Sequence, residues 1–330
     1  MFRKLLLPFL ALTLLLSACA TPATPAVQPA IEPTIAPTVA PTVEPTAEPT
    51  AEPIALTDSL GREVTLAAPA QRIVSLAPSN TEIAFAIGAG GQLIGRDDFS
   101  DYPPEAASVP SVGSLYPNVN AEAIVALKPD LVLAAGITSP DDVKALADLG
   151  LTVYATSYAV TLDDVYGDIL AVGKLTGHAV EAENLVVSMK ARVEAISAKT
   201  APLATRPNVF YETDDTDPSS PWTRGPNSYA ESLINLAGGV NVGSVGSAQD
   251  FQMSLEEIVN QNPDIIIFSH ASYSGRTPEQ VMARPGWETI KAVEIGAVFA
   301  IDGNLIDRPG PRVVDGLEAL AKLIHPELFK

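Results

Sequence analysis

Asn120-Ala-Glu122-Ala-Ile124-Val125-Ala-Leu-Lys-Pro129-Asp130-Leu-Val-Leu is met again further along the chain as Ser254-Leu-Glu256-Glu-Ile258-Val259-Asn-Gln-Asn-Pro263-Asp264-Ile-Ile-Ile. Both follow one pattern, Glu-x-Ile-Val-x-x-x-Pro-Asp and then an apolar run. Proline cannot continue a helix, so each copy predicts a short helix, a Pro-Asp turn and a strand. The apolar run does not alternate, as expected of a strand covered on both faces. Upstream lies a second pair. Thr81-Glu82-Ile-Ala-Phe-Ala-Ile-Gly-Ala-Gly90-Gly91 resembles Ala230-Glu231-Ser-Leu-Ile-Asn-Leu-Ala-Gly238-Gly239, each a helix ending in a glycine pair. Ile94-Gly95 and Val242-Gly243 then read as strand ends. A duplicated unit of this kind predicts two similar α/β lobes.

Between the copies runs His178 to Ala198, with apolar residues at Ala182, Leu185, Val186, Met189, Val193 and Ile196 and charges mostly off that stripe. This is helical spacing. At about 1.5 Å per residue the helix spans roughly 30 Å, the width of a small domain. The predicted fold is therefore two Rossmann-like α/β lobes with mainly parallel sheets, joined by one long rigid helix. The boundaries are residues 54–160 for the first lobe, 161–200 for the linking helices and 201–330 for the second lobe.

The first 53 residues stand outside that fold. Arg3-Lys4 precede an apolar run from Leu5 to Leu16, too short to span a bilayer, and Leu16-Ser17-Ala18-Cys19 follows. Residues 1–18 read as a signal peptide. Leu-Ser-Ala-Cys resembles a bacterial lipobox, which implies cleavage before Cys19 and a lipid on its sulfur. Two or three acyl chains anchor stably where one does not. Residues 19–53 then form a tether of Thr, Pro, Ala, Val and Glu, with proline at every fourth position from Pro25 to Pro53. Such a composition buries no core and favours polyproline II, reaching on the order of 100 Å if fully extended.

The formal charge of −19 becomes −21 once Arg3 and Lys4 leave with the signal. That argues against nucleic acid and against electrostatic docking on a membrane. Cys19 is the only cysteine, so no internal disulfide forms. No Gly-x-Ser-x-Gly, P-loop or dinucleotide fingerprint occurs, so no enzyme is expected. The only histidines, His178, His270 and His325, fall in a helix start, a strand end and the C-terminal tail, and no resident metal or cofactor is expected.

In parallel α/β sheets, ligands bind beyond the carboxyl ends of the strands. The loops there hold Asn80, Phe99, Tyr102, Tyr116, Trp222, Arg224, Phe251, His270 and Asn304, which would line one cleft if the lobes face each other. Arg224, Arg308 and Arg312 leave an anionic ligand open, since arginine recognises carboxylates bidentately; helix-terminus packing is the other reading of Arg308 and Arg312. His270 and Tyr273 could ligate haem iron, although a lone histidine after a strand more often has a structural role.

From about Asp58 to His325 the chain resembles the periplasmic binding proteins that serve importers of cobalamin, haem and ferric siderophores. The resemblance is carried by Arg-Ile-Val-Ser-Leu-Ala-Pro-Ser-Asn-Thr-Glu82, Ser-Asp-Tyr-Pro-Pro104, both Glu-x-Ile-Val-x-x-x-Pro-Asp copies and Arg-Pro-Gly-Pro-Arg312. It implies two lobes closing modestly on a ligand, an extracytoplasmic lipid-anchored monomer, and a permease with its ATPase as partners. It also implies that Glu122 and Glu256 dock on arginines of that permease. The alternative for these glutamates is dipole stabilisation of a helix start. Tyr116 falls where the cobalamin-binding members carry an aromatic residue. The second-lobe equivalent is Asp250 beside Phe251, so that match is broken. Trp222 and Phe99 fall on cleft aromatics of the family, whose faces suit a flat corrin or porphyrin. The expected cargo is a corrinoid, with haem or a ferric siderophore as the alternative, and an extracellular hydrolase or adhesive protein as the remote one.

Overall fold

The computed structural model describes residues 52–329. The signal peptide, Cys19 and nearly all of the expected tether lie outside the described residues. No described helix is long and apolar enough to cross a membrane.

The chain enters through an antiparallel hairpin, β1 (Ile54–Thr57) and β2 (Glu63–Leu66). The first lobe then runs β3 (Ile73–Ser75), α1 (Pro78–Ala86), β4 (Leu93–Asp97), β5 (Ser111–Gly113), α2 (Ala121–Ala126), β6 (Leu131–Ala134), α3 (Pro140–Asp148) and β7 (Val153–Ala155). Its sheet is wholly parallel in the order β5-β4-β3-β6-β7. Two helices follow, α4 (Leu162–Thr176) and α5 (Ala179–Thr200), turning at Gly177, whose φ of 81° is the left-handed conformation that glycine tolerates. The helices pack closely here. A Cβ on Gly173 of α4 would lie 2.4 Å from the Cβ of Ala182 on α5. The expected stripe on α5 is the packed one, with Ala182, Val186, Met189 and Ile196 buried.

The second lobe comprises β8 (Asn208–Asp214), β9 (Trp222–Arg224), α6 (Tyr229–Leu236), β10 (Val240–Asn241), β11 (Asp250–Gln252), α7 (Leu255–Gln261) and β12 (Ile265–Phe268). Short helices α8 (Ala271–Ser274), α9 (Pro278–Met282) and α10 (Lys291–Glu294) precede β13 (Val298–Ala300), α11 (Gly303–Ile306) and α12 (Val313–Ile324). Its sheet is mixed but mainly parallel, as expected. β10, β8, β12 and β13 are parallel, but β9 pairs antiparallel with β8, and β11 antiparallel with β9. The stretch from Glu212 to Asn227 turns back as a hairpin arm instead of crossing over through a helix. One expectation shifts: Val242-Gly243, read above as a strand end, opens a 3₁₀ turn after β10.

Each sheet has one face on a shared core and one on a core of its own. Ile73, Leu131 and Leu133 pack with Val209, Tyr211 and Ile267 in one cluster that runs through α4, α5 and α12. The alternate residues Val74, Val132 and Ala134 fill a separate first-lobe cluster, and Phe210, Ile266 and Phe268 a second-lobe one. This is why the motif strands are apolar at every position: all four residues of β6 and of β12 are buried.

The repeat does the same local work in both lobes. Lys128 and Asn262, each just before the Pro-Asp pair, take positive φ of 51° and 44°. The carboxylate of Asp130 accepts from the Gln71 and Arg72 amides at 2.8 and 2.9 Å, and that of Asp264 from the Asn208 amide at 2.8 Å. Each aspartate thus holds the entry to the central strand of its sheet. Replacing Asp130 with alanine strands two amides and should lower stability by about 1.5 kcal/mol. A urea midpoint unchanged within error would mean that water replaces the carboxylate without loss.

Candidate functional site

A cleft of about 370 Å³ opens where the carboxyl ends of the two sheets meet. The first lobe lines it with Ala77–Ser79 after β3, Ala135–Ile137 after β6 and Ser157–Ala159 after β7. The second lobe contributes Arg224 at the end of β9, Ser228–Ala230 at the start of α6, Gln249 and Asp250, and Ile306–Pro309 after α11. Gly136 is there because the chain passes too close for a side chain. A Cβ would lie 2.4 Å from the Tyr158 Cα.

Charges on this cleft are paired. Arg224 contacts Asp250 through Nη1 and Asp307 through Nη2, the latter at 3.2 Å. Burial alone would lower the Arg224 guanidinium, but Asp307 and Asp250 outweigh it and hold it above its ordinary range. Burial raises the Asp307 carboxyl, against the pull of Arg224. Arg308 Nη1 lies 2.5 Å from Asp101 Oδ1 and 3.9 Å from Glu82 Oε1. Arg312 grips Glu82 bidentately, Nε to Oε2 at 2.8 Å and Nη2 to Oε1 at 2.5 Å, with its guanidinium 3.8 Å over the Tyr102 ring. Desolvation raises Glu82, which Arg312 only partly offsets. Glu82 and Asp101 belong to the first lobe and the arginines to the second, so these pairs clasp the lobes.

Of the nine residues expected at the strand ends, Arg224 lines the cavity, and so does Arg308, expected as a possible anion ligand. Phe99, Tyr102, Tyr116 and Trp222 are exposed by 61, 41, 86 and 41 % and lie outside its lining. Phe251 turns inward, its ring against Gly225 and Gly246. Asn304 sits in α11, its backbone N–H donating to the Asp302 carboxylate, and is also outside the lining.

Two expectations are corrected. Asn80 is fully buried; its amide donates to the Ala134 carbonyl at 2.8 Å and its oxygen accepts from Thr156 at 3.0 Å. It ties α1 to the ends of β6 and β7 and does not face a ligand. His270 is fully buried too, Nε2 at 2.6 Å from Glu212 and Nδ1 at 2.9 Å from Ser274. With both ring nitrogens engaged inside the second lobe, it offers nothing to haem iron. The Tyr273 hydroxyl donates to the Thr213 carbonyl. Glu212, Asp215 and His270 do converge as a metal site would. However, Arg284 bonds Glu212 at 2.6 and 2.8 Å and Asp215 at 2.8 Å, and Arg276 holds Asp215 at 2.6 Å. Guanidinium groups already supply the positive charge in this cluster.

Glu82, Asp101, Asp250 and Asp307 were not foreseen as site residues. Glu82 and Asp101 lie far in sequence from Arg-Pro-Gly-Pro-Arg312, which they meet in space, so no local spacing pairs them with it.

Glu122 and Glu256 lie in the first turns of α2 and α7, exposed and without an ion pair among the described residues.

Two α/β lobes with mainly parallel strands, a linking helix pair and a cleft at the strand ends define a two-lobed solute-binding protein. Residues 73–305 match the periplasmic binding protein family, and the chain belongs to it. Residues 24–56 match a second family, the PT disordered repeat. The chain is 36 % identical over 282 residues to an uncharacterized ABC transporter substrate-binding lipoprotein, YvrC, of Bacillus subtilis, covering 84 % of this chain and 87 % of that one. It is 31 % identical over 254 residues to a vitamin B12-binding protein of Vibrio cholerae, covering 76 and 87 %. Among solved structures it resembles the periplasmic heme-binding protein RhuT of a Roseiflexus species in apo form, with a TM-score of 0.70 and 25 % identity, over 78 % of this chain and 98 % of that one.

Proposed function

We propose that the protein is the extracytoplasmic, lipid-anchored receptor of an ABC importer, capturing a corrinoid between its lobes and delivering it to the permease. One observation carries the reading: a cleft shared by both lobes at the carboxyl ends of their sheets, with exposed aromatic residues beside it. A corrinoid is a large ligand, and side chains beside the lining would share in holding it. Trp222 stands two residues from Arg224 on β9, while Phe99 and Tyr102 flank Asp101, the partner of Arg308. Large aromatic faces left exposed suit a flat macrocycle. The similarity to a vitamin B12-binding protein supports the corrinoid. The similarity to a heme-binding protein keeps haem as the second reading. Family membership and the Leu-Ser-Ala-Cys19 sequence support the anchor and the extracytoplasmic location.

Titration of residues 54–330 with cyanocobalamin should give a one-to-one isotherm tighter than about 1 μM, roughly −8 kcal/mol. Trp222→Ala should weaken it by about tenfold while leaving the melting temperature in place. No heat at several temperatures would discard the corrinoid and move the test to haem. Unchanged affinity in the variant would assign Trp222 a role away from the cargo.

A further inference from the structure

We infer that the cleft is a charge filter: its arginines are neutralised in advance by Asp250, Asp307, Asp101 and Glu82, so it accepts neutral, amide-rich cargo and rejects anionic cargo. This rests on the reading of the cleft as the cargo site and specifies the ligand's charge class. The only cations in the described cleft lining are Arg224 and Arg308. An arginine awaiting a carboxylate would present a free fork of donors. Here the Arg224 fork is split between Asp250 and Asp307, both of which line the same cavity. Arg308 is taken by Asp101, and Arg312 behind it by both oxygens of Glu82. Three guanidiniums thus face four carboxyls.

An incoming carboxylate or catecholate at Arg224 would have to break one of its pairs and leave Asp250 or Asp307, both partly buried in the cleft, unpartnered; at Arg308 it would compete with the exposed Asp101. The field of the whole chain acts the same way. With 39 acidic against 20 basic residues, it repels anions before they arrive. Amide groups suffer neither penalty. They can donate to the outer lone pairs of Asp250 and Asp307 and accept from the guanidinium N–H groups without displacing either. Specificity here is gained as much by what the site repels as by what it attracts.

Two probe sets test this. The first is cyanocobalamin and its derivatives with one or more side-chain amides hydrolysed to carboxylates, which vary charge on one scaffold. The second is succinate, a small dicarboxylate, followed by amide chemical shifts. Wild type should bind each added carboxylate roughly tenfold more weakly and show no response to succinate at millimolar concentration. Asp250→Asn, at the more exposed of the two Arg224 partners, should narrow the corrinoid gap and bring shifts around Arg224 on adding succinate. Asp307→Asn should do the same, and Arg224→Gln added to either should erase the gain.

If wild type ignores cyanocobalamin while succinate responses still arise only in the asparagine variants, the corrinoid reading falls and the filter stands. Wild type binding the carboxylate derivatives, haemin or succinate as readily as the neutral corrinoid would overturn the filter. So would folded asparagine variants whose anion response matches wild type.

Discussion

Arg284→Met should destabilise the protein by about 3–5 kcal/mol, the penalty of leaving buried charge without its partner. The Arg284 side chain is 6 % exposed, Glu212 beneath it is fully buried and Asp215 is 8 % exposed. Its guanidinium bonds both carboxylates, while the ring of Trp287 lies 4.6 Å below. Methionine matches the length and the contact with Trp287 but leaves Glu212 with only His270, and Asp215 with the half-exposed Arg276 and, at 3.7 Å, His270. The carboxyl-terminal part of β8, the end of β12 and the segment around α9 converge on this cluster, so its loss should loosen the second lobe first. Trp287 is fully buried and Trp222 exposed, so Trp287 fluorescence in a Trp222→Phe background reports that lobe directly. Urea unfolding of that protein with and without Arg284→Met gives the difference. Adding Glu212→Gln should recover part of it, because the two changes meet in one network and cannot add independently. A loss under about 1 kcal/mol, or strict additivity with Glu212→Gln, would show that water enters and takes over the guanidinium's role.

That network also shows where sequence reasoning stops. The lobes and the linking helix could be read because each depends on local spacing. The α5 stripe is periodic, and the two Pro-Asp turns carry their own stop signals. β9 was missed because Trp222-Thr-Arg224 is too short to display alternation and follows Asp217-Pro-Ser-Ser-Pro221, a run of turn formers. Asn80 and His270 were misplaced for another reason. The strand-end rule locates a backbone position, and both residues are at the strand ends; it does not say which way the side chain turns. In each case polar partners, Thr156 and the Ala134 carbonyl for Asn80 and the buried Glu212 with Ser274 for His270, hold the side chain inward. The clasp between Glu82 and Arg312 joins residues from opposite ends of the fold, and nothing in either neighbourhood announces the other.

Glu122 and Glu256 carry the other large expected effect. Replacing both with alanine should lower stimulation of the cognate transporter ATPase by at least a hundredfold while leaving cargo affinity within twofold of wild type. Each glutamate lies in the first turn of its helix, where a carboxylate gains about 0.3–1 kcal/mol from the dipole. Losing that twice is a modest change in a folded domain. The helix starts remain capped by the side chains of Asn120 and Ser254, which accept from the amides of Ala123 and Glu257. Neither glutamate lines the cleft, so the site should stay intact. Against a permease presenting arginines the balance is different. Close interfacial charge pairs have coupling energies of about 1.5–7 kcal/mol each, so losing two weakens docking far more than it weakens the fold. The duplicated motif argues for this use of both positions. It sets a carboxylate on the same turn of the same helix in each lobe, free of intramolecular ion pairs among the described residues. Single alanine variants should fall between wild type and the double variant, and charge reversal to lysine should be worse than alanine because it adds repulsion. ATPase stimulation in reconstituted vesicles, paired with cargo titration of the same proteins, separates the outcomes. Stimulation retained by the double variant would remove these glutamates from the docking surface, and lost cargo affinity would put them at the cleft instead.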